Sequence, residues 1–119
     1  MTNKCYQNLR VWKNADDLAF KIYKMTETWP KVEQYGLTSQ IRRSSLSVVL
    51  NIVEGTGRQG RNDTKRFIEI SLGSLREADY LLDFAKRLNY LTQEKFQALE
   101  LLADTTGAQL WKFYQSLKF

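Results

Sequence analysis

From Leu9 to Leu117 the apolar residues recur every three or four positions, and no stretch alternates apolar with polar residues between hairpin turns. That spacing predicts helices throughout. It is broken at three places: Trp29-Pro30 with Gln34-Tyr35-Gly36, the glycines Gly55, Gly57 and Gly60, and Asn89-Tyr90. Three breaks divide the chain into four helices, and short connections make neighbouring helices antiparallel. The expected fold is all-α, an up-and-down antiparallel four-helix bundle. A length of 119 residues supports one core and not two domains of ordinary size, so residues 1–119 are read as a single domain.

The first helix is expected over residues 9–28, with Val11, Ala15, Leu18, Ala19 and Ile22 on one face. Trp29-Pro30 stops it, because the residue before proline disfavours helical dihedrals. Leu37 or Thr38 opens the second helix, and Gly55 is a natural C′ residue for its end. Asn62 or Asp63 caps a third helix over 64–88, whose stripe is Phe67, Ser71, Leu75, Ala78, Leu82 and Ala85. Thr92 caps the fourth, with Gln93 and Glu94 in a first turn where negative charge suits the helix dipole. Its stripe is Phe96, Leu99, Ala103, Leu110, Phe113 and Leu117.

Helix two is too apolar for one core. On a helical wheel Val48, Ile52, Val49, Val53, Leu46 and Leu50 cover an arc of roughly 200°, about twice a bundle stripe. Arg43, Ser44, Ser47, Asn51 and Glu54 fill the other side, while Arg42 falls inside the apolar arc. A guanidinium there needs a partner, since an unpaired buried charge is very costly, and Glu77 is the carboxylate assigned to it. Asn51, Glu54 and Glu77 are accordingly read as structural. Trp111 and Leu101 lie off the stripe of helix four, and Gly73 interrupts helix three at a cost of about 1 kcal/mol relative to alanine, which close backbone approach would explain. With three Trp, six Tyr and six Phe the chain carries more apolar surface than a core this size hides, which points to a homo-oligomer.

The chain has no histidine and a single cysteine, Cys5. Ser-His-Asp and Cys-His mechanisms, histidine metal sites and intrachain disulfides are thereby excluded, and no enzyme, cofactor or metal is expected. No apolar run approaches the roughly 18 residues of a membrane span, and the start, Met1 to Tyr6, lacks a signal peptide's apolar stretch. A cytoplasmic protein with no membrane partner is the expectation. Eighteen bases against thirteen acids give a net charge of +5, and residues 42–66 hold six of those bases with only two of the acids. Such a concentration suits a polyanionic partner.

The loop Gly55-Thr56-Gly57-Arg58-Gln59-Gly60 matches G-x-G-x-x-G, and Glu77 or Asp79 follows at about the expected distance. A dinucleotide fingerprint must follow a strand, and here a helix precedes it, so the glycines are read as a helix end and a turn. The same loop is basic. Arg58 and Arg61 lie in it, Lys65 and Arg66 open the next helix, and backbone N–H groups at a helix start can join arginines in gripping phosphate. Arg42 and Arg43 form a second basic site at the other end of helix two, roughly 20 Å away. No helix carries base-reading side chains in a helix-turn-helix or zinc-finger setting, so RNA or DNA would be held through its backbone, tolerant of sequence and sensitive to salt. The alternative reading is a protein-interaction scaffold whose charge serves solubility.

Several segments, in order, resemble one family. They are Leu9-Arg10-Val11-Trp12, the run from Tyr35 to Ser45, Asn51-Ile52-Val53-Glu54-Gly55 with Gly57-Arg58, Gly73-Ser74-Leu75-Arg76-Glu77, and Leu88-Asn89-Tyr90-Leu91. The chain resembles the proteins encoded within intervening sequences of bacterial 23S ribosomal RNA genes, the S23 family. The resemblance implies a four-helix bundle assembled as a ring-like homopentamer, and no catalytic residues. It also implies kinship with accessory proteins of diversity-generating retroelements, which makes a reverse transcriptase a further expected partner. Asn89 stands where the family usually has glycine, and asparagine also tolerates left-handed dihedrals.

Overall fold

Four helices carry almost all of the chain: α1 (Arg10–Thr26), α2 (Leu37–Thr56), α3 (Arg61–Arg87) and α4 (Gln93–Ser116). Short 3-10 turns, Cys5–Asn8 and Lys31–Glu33, precede α1 and α2. The computed structural model describes residues 5–117; the first four residues and the Cys5 side chain, on which part of the sequence reading rests, lie outside the described residues. Each helix packs on two others, α1 on α2 and α4, and α3 on α2 and α4, leaving two diagonal pairs apart. At 1.5 Å per residue α3 is about 40 Å long, close to the 44 Å long axis of the molecule.

The periodicity places the core. Leu18 and Ile22 of α1, Ile41, Val48 and Ile52 of α2, Ile68 and Leu82 of α3 and Leu110 of α4 are essentially sealed from solvent. Burying each such side chain contributes about 1.5–3 kcal/mol. Three hydroxyls in this core donate to backbone carbonyls: Ser71 Oγ to Val48 O (2.8 Å), Thr64 Oγ1 to Gly55 O (2.9 Å) and Thr106 Oγ1 to Leu102 O (2.8 Å). Two of the three link α3 to α2.

Helix boundaries follow the chemistry with revisions in three helices, the first being that α1 runs over Arg10–Thr26 and ends two residues before its expected end at 28. Thr92 caps α4 as expected, its Oγ1 accepting from Lys95 N at 3.2 Å, and Asn89 adopts φ 62° between α3 and α4. Helix α3 begins at Arg61, three residues before the expected start, with Gly60 at the N-cap and neither Asn62 nor Asp63 capping it. Gly55 lies inside α2, which runs on to Thr56, and Gly57 at the C-cap keeps a negative φ. A Cβ on Gly55 would sit 3.1 Å from Phe67 Cβ and 3.4 Å from Thr64 O, so this glycine permits α2 and α3 to touch. Gly73 meets nothing within 4 Å in its own chain, so it is open where Gly55 is crowded.

The wide apolar arc of α2 is only partly absorbed. Val48, Val49 and Ile52 are buried, whereas Leu46 and Leu50 remain exposed, and Ile70 of α3 is exposed as well. Ser47 Oγ and Ser74 Oγ, 2.9 Å apart, bridge the two helices, and Asn51 Nδ2 donates to Ser47 O (2.8 Å) and Oγ (3.0 Å). Asn51 thereby joins the Ser47–Ser74 bridge from its own helix. At the opposite end of the bundle Glu33 joins two connections, its Oε1 accepting from Leu37 N (3.1 Å) and its Oε2 from the Tyr90 hydroxyl (2.8 Å).

Candidate nucleic-acid interface

The handover from α2 to α3 gathers the basic residues of the loop. Arg58 follows the end of α2, and Arg61, Lys65 and Arg66 lie on the first two turns of α3. The Arg58 and Arg66 guanidinium carbons both lie over the Phe67 ring, 4.8 and 4.7 Å from its centroid. Asp63 holds both, with Oδ1 3.0 Å from an Arg66 nitrogen and Oδ2 3.7 Å from Arg58 Nε, and Glu54 pairs with Arg58 from the last turn of α2. Four bases against two acids leave this end positive, with the arginines oriented by an aromatic ring and two carboxylates. Glu54 is therefore part of the basic cluster as well as of the helix.

Backbone geometry adds to the charge. Gly60 supplies no side chain to the first N–H groups of α3, which therefore project from the helix start without a side-chain cap. The positive end of the helix dipole coincides with the arginines.

Lys65 extends the cluster onto α4. Its Nζ lies 5.1 Å from the centroid of the Tyr114 ring, and Tyr114 is in turn stacked on Trp111, with centroids 5.5 Å apart and planes 17° from parallel. Single-helix patterns marked Trp111 only as off-stripe and passed over Tyr114. The signal that finds them is the turn at Asn89: Lys65 and Tyr114 lie equally far from it along an antiparallel hairpin.

Arg42 and Arg43 do not join this cluster. They lie near the N-terminal end of α2, about 20 Å or more along the helix from Arg58. The expected Arg42–Glu77 pair does not form. Arg42 Nε donates to Thr26 Oγ1 (2.7 Å), its NH2 donates to Tyr23 O (3.2 Å), and its guanidinium lies 4.7 Å from the Tyr23 ring centroid. Position 42 faces α1, where carbonyl, hydroxyl and ring replace a carboxylate; Glu77 is exposed on α3, with no ion pair among the described residues. Arg43 is exposed.

Further along the α3–α4 flank the charge reverses. Burial pushes the Glu100 carboxyl up to about 7, helped by a hydrogen bond to Asp79 and by the charges of Asp79, Asp104 and Asp83. Asp79 Oδ1 and Glu100 Oε2 are buried without a hydrogen-bond partner, the same desolvation that favours the protonated Glu100 carboxyl. Among the described residues no His, Cys, Asp and Glu side chains are grouped to hold a metal ion, and no helix is long and apolar enough to cross a membrane.

The family model described as 23S rRNA-intervening sequence protein matches residues 7–112 of the chain. Among solved structures, a protein with unknown function from the S23 ribosomal protein family of Bacteroides thetaiotaomicron is similar, with a TM-score of 0.79 and 24% identity over 87% of this chain and 97% of that one. That likeness is one of fold. No curated protein matches the chain.

Proposed function

The chain belongs to the 23S rRNA-intervening sequence protein family, and from that premise we propose that it is a non-catalytic, self-associating protein that grips RNA or DNA by the phosphates. The observation that carries this reading is the pair of guanidinium groups over Phe67 at the start of α3, where no side chain caps the helix. Arg58, Arg61, Lys65 and Arg66 are the first contacts. Arg43 offers a second, weaker point at the far end, and Arg42 contributes less because Thr26 and Tyr23 already occupy it. Arg61 and Arg66 stand on α3, and Arg58, in the loop, is held by Glu54, Asp63 and the Phe67 ring, so little conformational freedom is lost on meeting a phosphate.

Phosphate binding obeys counterion release, so log affinity falls linearly with log salt. Fluorescence anisotropy with labelled RNA and DNA across a salt series measures this slope. Reversing two contacts in Arg58→Glu with Arg61→Glu is expected to weaken binding at least tenfold at low salt and to flatten the slope. Unchanged affinity in that double variant would sink the assignment of this end.

Self-association is supported by the outer face of α2 and α3, where Leu46, Leu50 and Ile70 are exposed and Gly73 leaves open space beside them. The same face supports the second reading, docking to a protein such as a reverse transcriptase. Leu50 is 56% exposed, so Leu50→Lys leaves the core intact. Light scattering is expected to show a multimer of the native chain and a smaller species for this variant. A monomeric native chain turns the reading of that face towards a different protein.

A further inference from the structure

We infer that Trp111 and Tyr114 form a stacking platform for unpaired nucleobases, which makes single-stranded nucleic acid the preferred ligand; this rests on the phosphate-gripping reading above and names the form it selects. Trp111 is 49% exposed and off the buried stripe of α4, so the core does not account for it. Its ring is nevertheless fixed in direction, because Tyr114 stacks on it at 5.5 Å and packs against the core beneath. Lys65 Nζ stands 5.1 Å from the Tyr114 ring centroid. A flat ring held open to solvent beside a cation matches the two parts of a nucleotide, a π-face and a phosphate.

The surroundings limit what can lie there. Arg58 and Arg66 continue the positive surface on one side of Lys65. One turn from Trp111 towards the Asn89 turn, the flank opens into a groove of about 270 Å³ with Leu72 and Gly107 in its lining and Arg76 beside them. Asp79 and Asp104 close the far side of this groove, with Asp83 behind them, and these carboxylates repel phosphate. From Lys65 to Arg76 is about 16 Å along α3, so the track accepts a short strand and ends at the carboxylates. A duplex hides its base faces within the stack and cannot use the platform, whereas every unpaired base can, whatever its identity.

The test uses the full-length protein with short labelled oligo(dT), oligo(U) and a blunt RNA duplex of equal length, at low and physiological salt. Oligonucleotides are expected to bind more tightly than the duplex. Trp111→Ala is expected to weaken them roughly five- to hundredfold, leaving duplex affinity and the salt slope unchanged, and Trp111→Phe to recover most of the loss. Equal losses on strand and duplex, or no loss on either, overturn the platform while leaving the phosphate grip standing. A fall in mass of Trp111→Ala also overturns it, because Trp111 then packs against another copy. If no probe binds the native protein at low salt, the phosphate reading fails first and the platform with it. A measurement without variants guards against misfolding: stacking quenches Trp111, so oligo(dT) should lower tryptophan emission and duplex should not, and equal responses reject the inference.

Discussion

Two levels of the α3–α4 hairpin have the same construction and opposite chemistry. Lys65 faces Tyr114 at one level and Asp79 faces Glu100 at the other, each pair equally far from the turn at Asn89. At the first level a cation rests on an aromatic ring near solvent, and the charge stays available. At the second, two acids bury oxygens that no donor reaches, and a carboxyl holds its proton to about 7. The net charge of +5 is therefore a poor guide to the surface, because one helix pair carries both an anion-attracting and an anion-repelling level. A polyanion on this flank has a direction as well as an affinity.

The largest expected effect comes from breaking the basic level's foundation. Gly55→Val places a branched side chain where a Cβ already meets Phe67 Cβ at 3.1 Å, forcing α2 from α3 and Phe67 from under its arginines. A loss of about 3 kcal/mol in urea unfolding is expected, together with weaker nucleic-acid binding. The acidic level is sharpened by pH. The Glu100 carboxyl is raised in the folded state from 4.5 to about 7, so the folded chain holds the proton more tightly than the unfolded chain between those values. The associated stability is full below about pH 4.5 and is lost as pH rises through about 7. Glu100→Gln keeps the hydrogen bond without the charge, and is expected to stabilise the protein by about 1–2 kcal/mol at pH 8 after allowance for solvent screening. At pH 4 the variant and the native chain should melt together; an equal gain at both pH values rules out the raised Glu100 carboxyl as the cause. The smallest effect is Lys65→Gln, which removes a cation from a half-buried ring and should cost about 0.5–1 kcal/mol or less in stability. Its consequence belongs to binding, where one phosphate contact disappears and the salt slope falls by about one unit.

Much of the architecture was legible because it depends on single helices. The stripe Val11, Ala15, Leu18, Ala19 and Ile22 is buried as expected, Thr92 caps α4, and Asn89 turns the chain with positive φ. Leu46 and Leu50, the excess of the apolar arc on α2, do stay outside the core. The misses share one cause, which is that the register between helices does not show in the wheel of any one of them. Arg42 was matched to Glu77 by need for a carboxylate, whereas its neighbour on α1 offers a threonine hydroxyl and a tyrosine carbonyl. Gly73 and Gly55 look alike in sequence, and only the packing of α2 on α3 distinguishes the crowded one from the open one. Of the basic residues, the structure brings Arg58 and Arg66 together, places Lys65 on Tyr114, and leaves Arg42 and Arg43 at the other end.

Glu33 gives the bundle's far end a different kind of constraint. One carboxylate holds the first amide of α2 and the hydroxyl of Tyr90, so the connection before α2 and the turn after α3 share a fastening. The two opposite ends of the hydrogen-bonded link cannot fray independently, and their amides should exchange with solvent as one cooperative unit. Connections in a bundle ordinarily accept insertions one at a time. Here an added residue in either segment displaces the anchor of the other, so the lengths of these two loops are coupled.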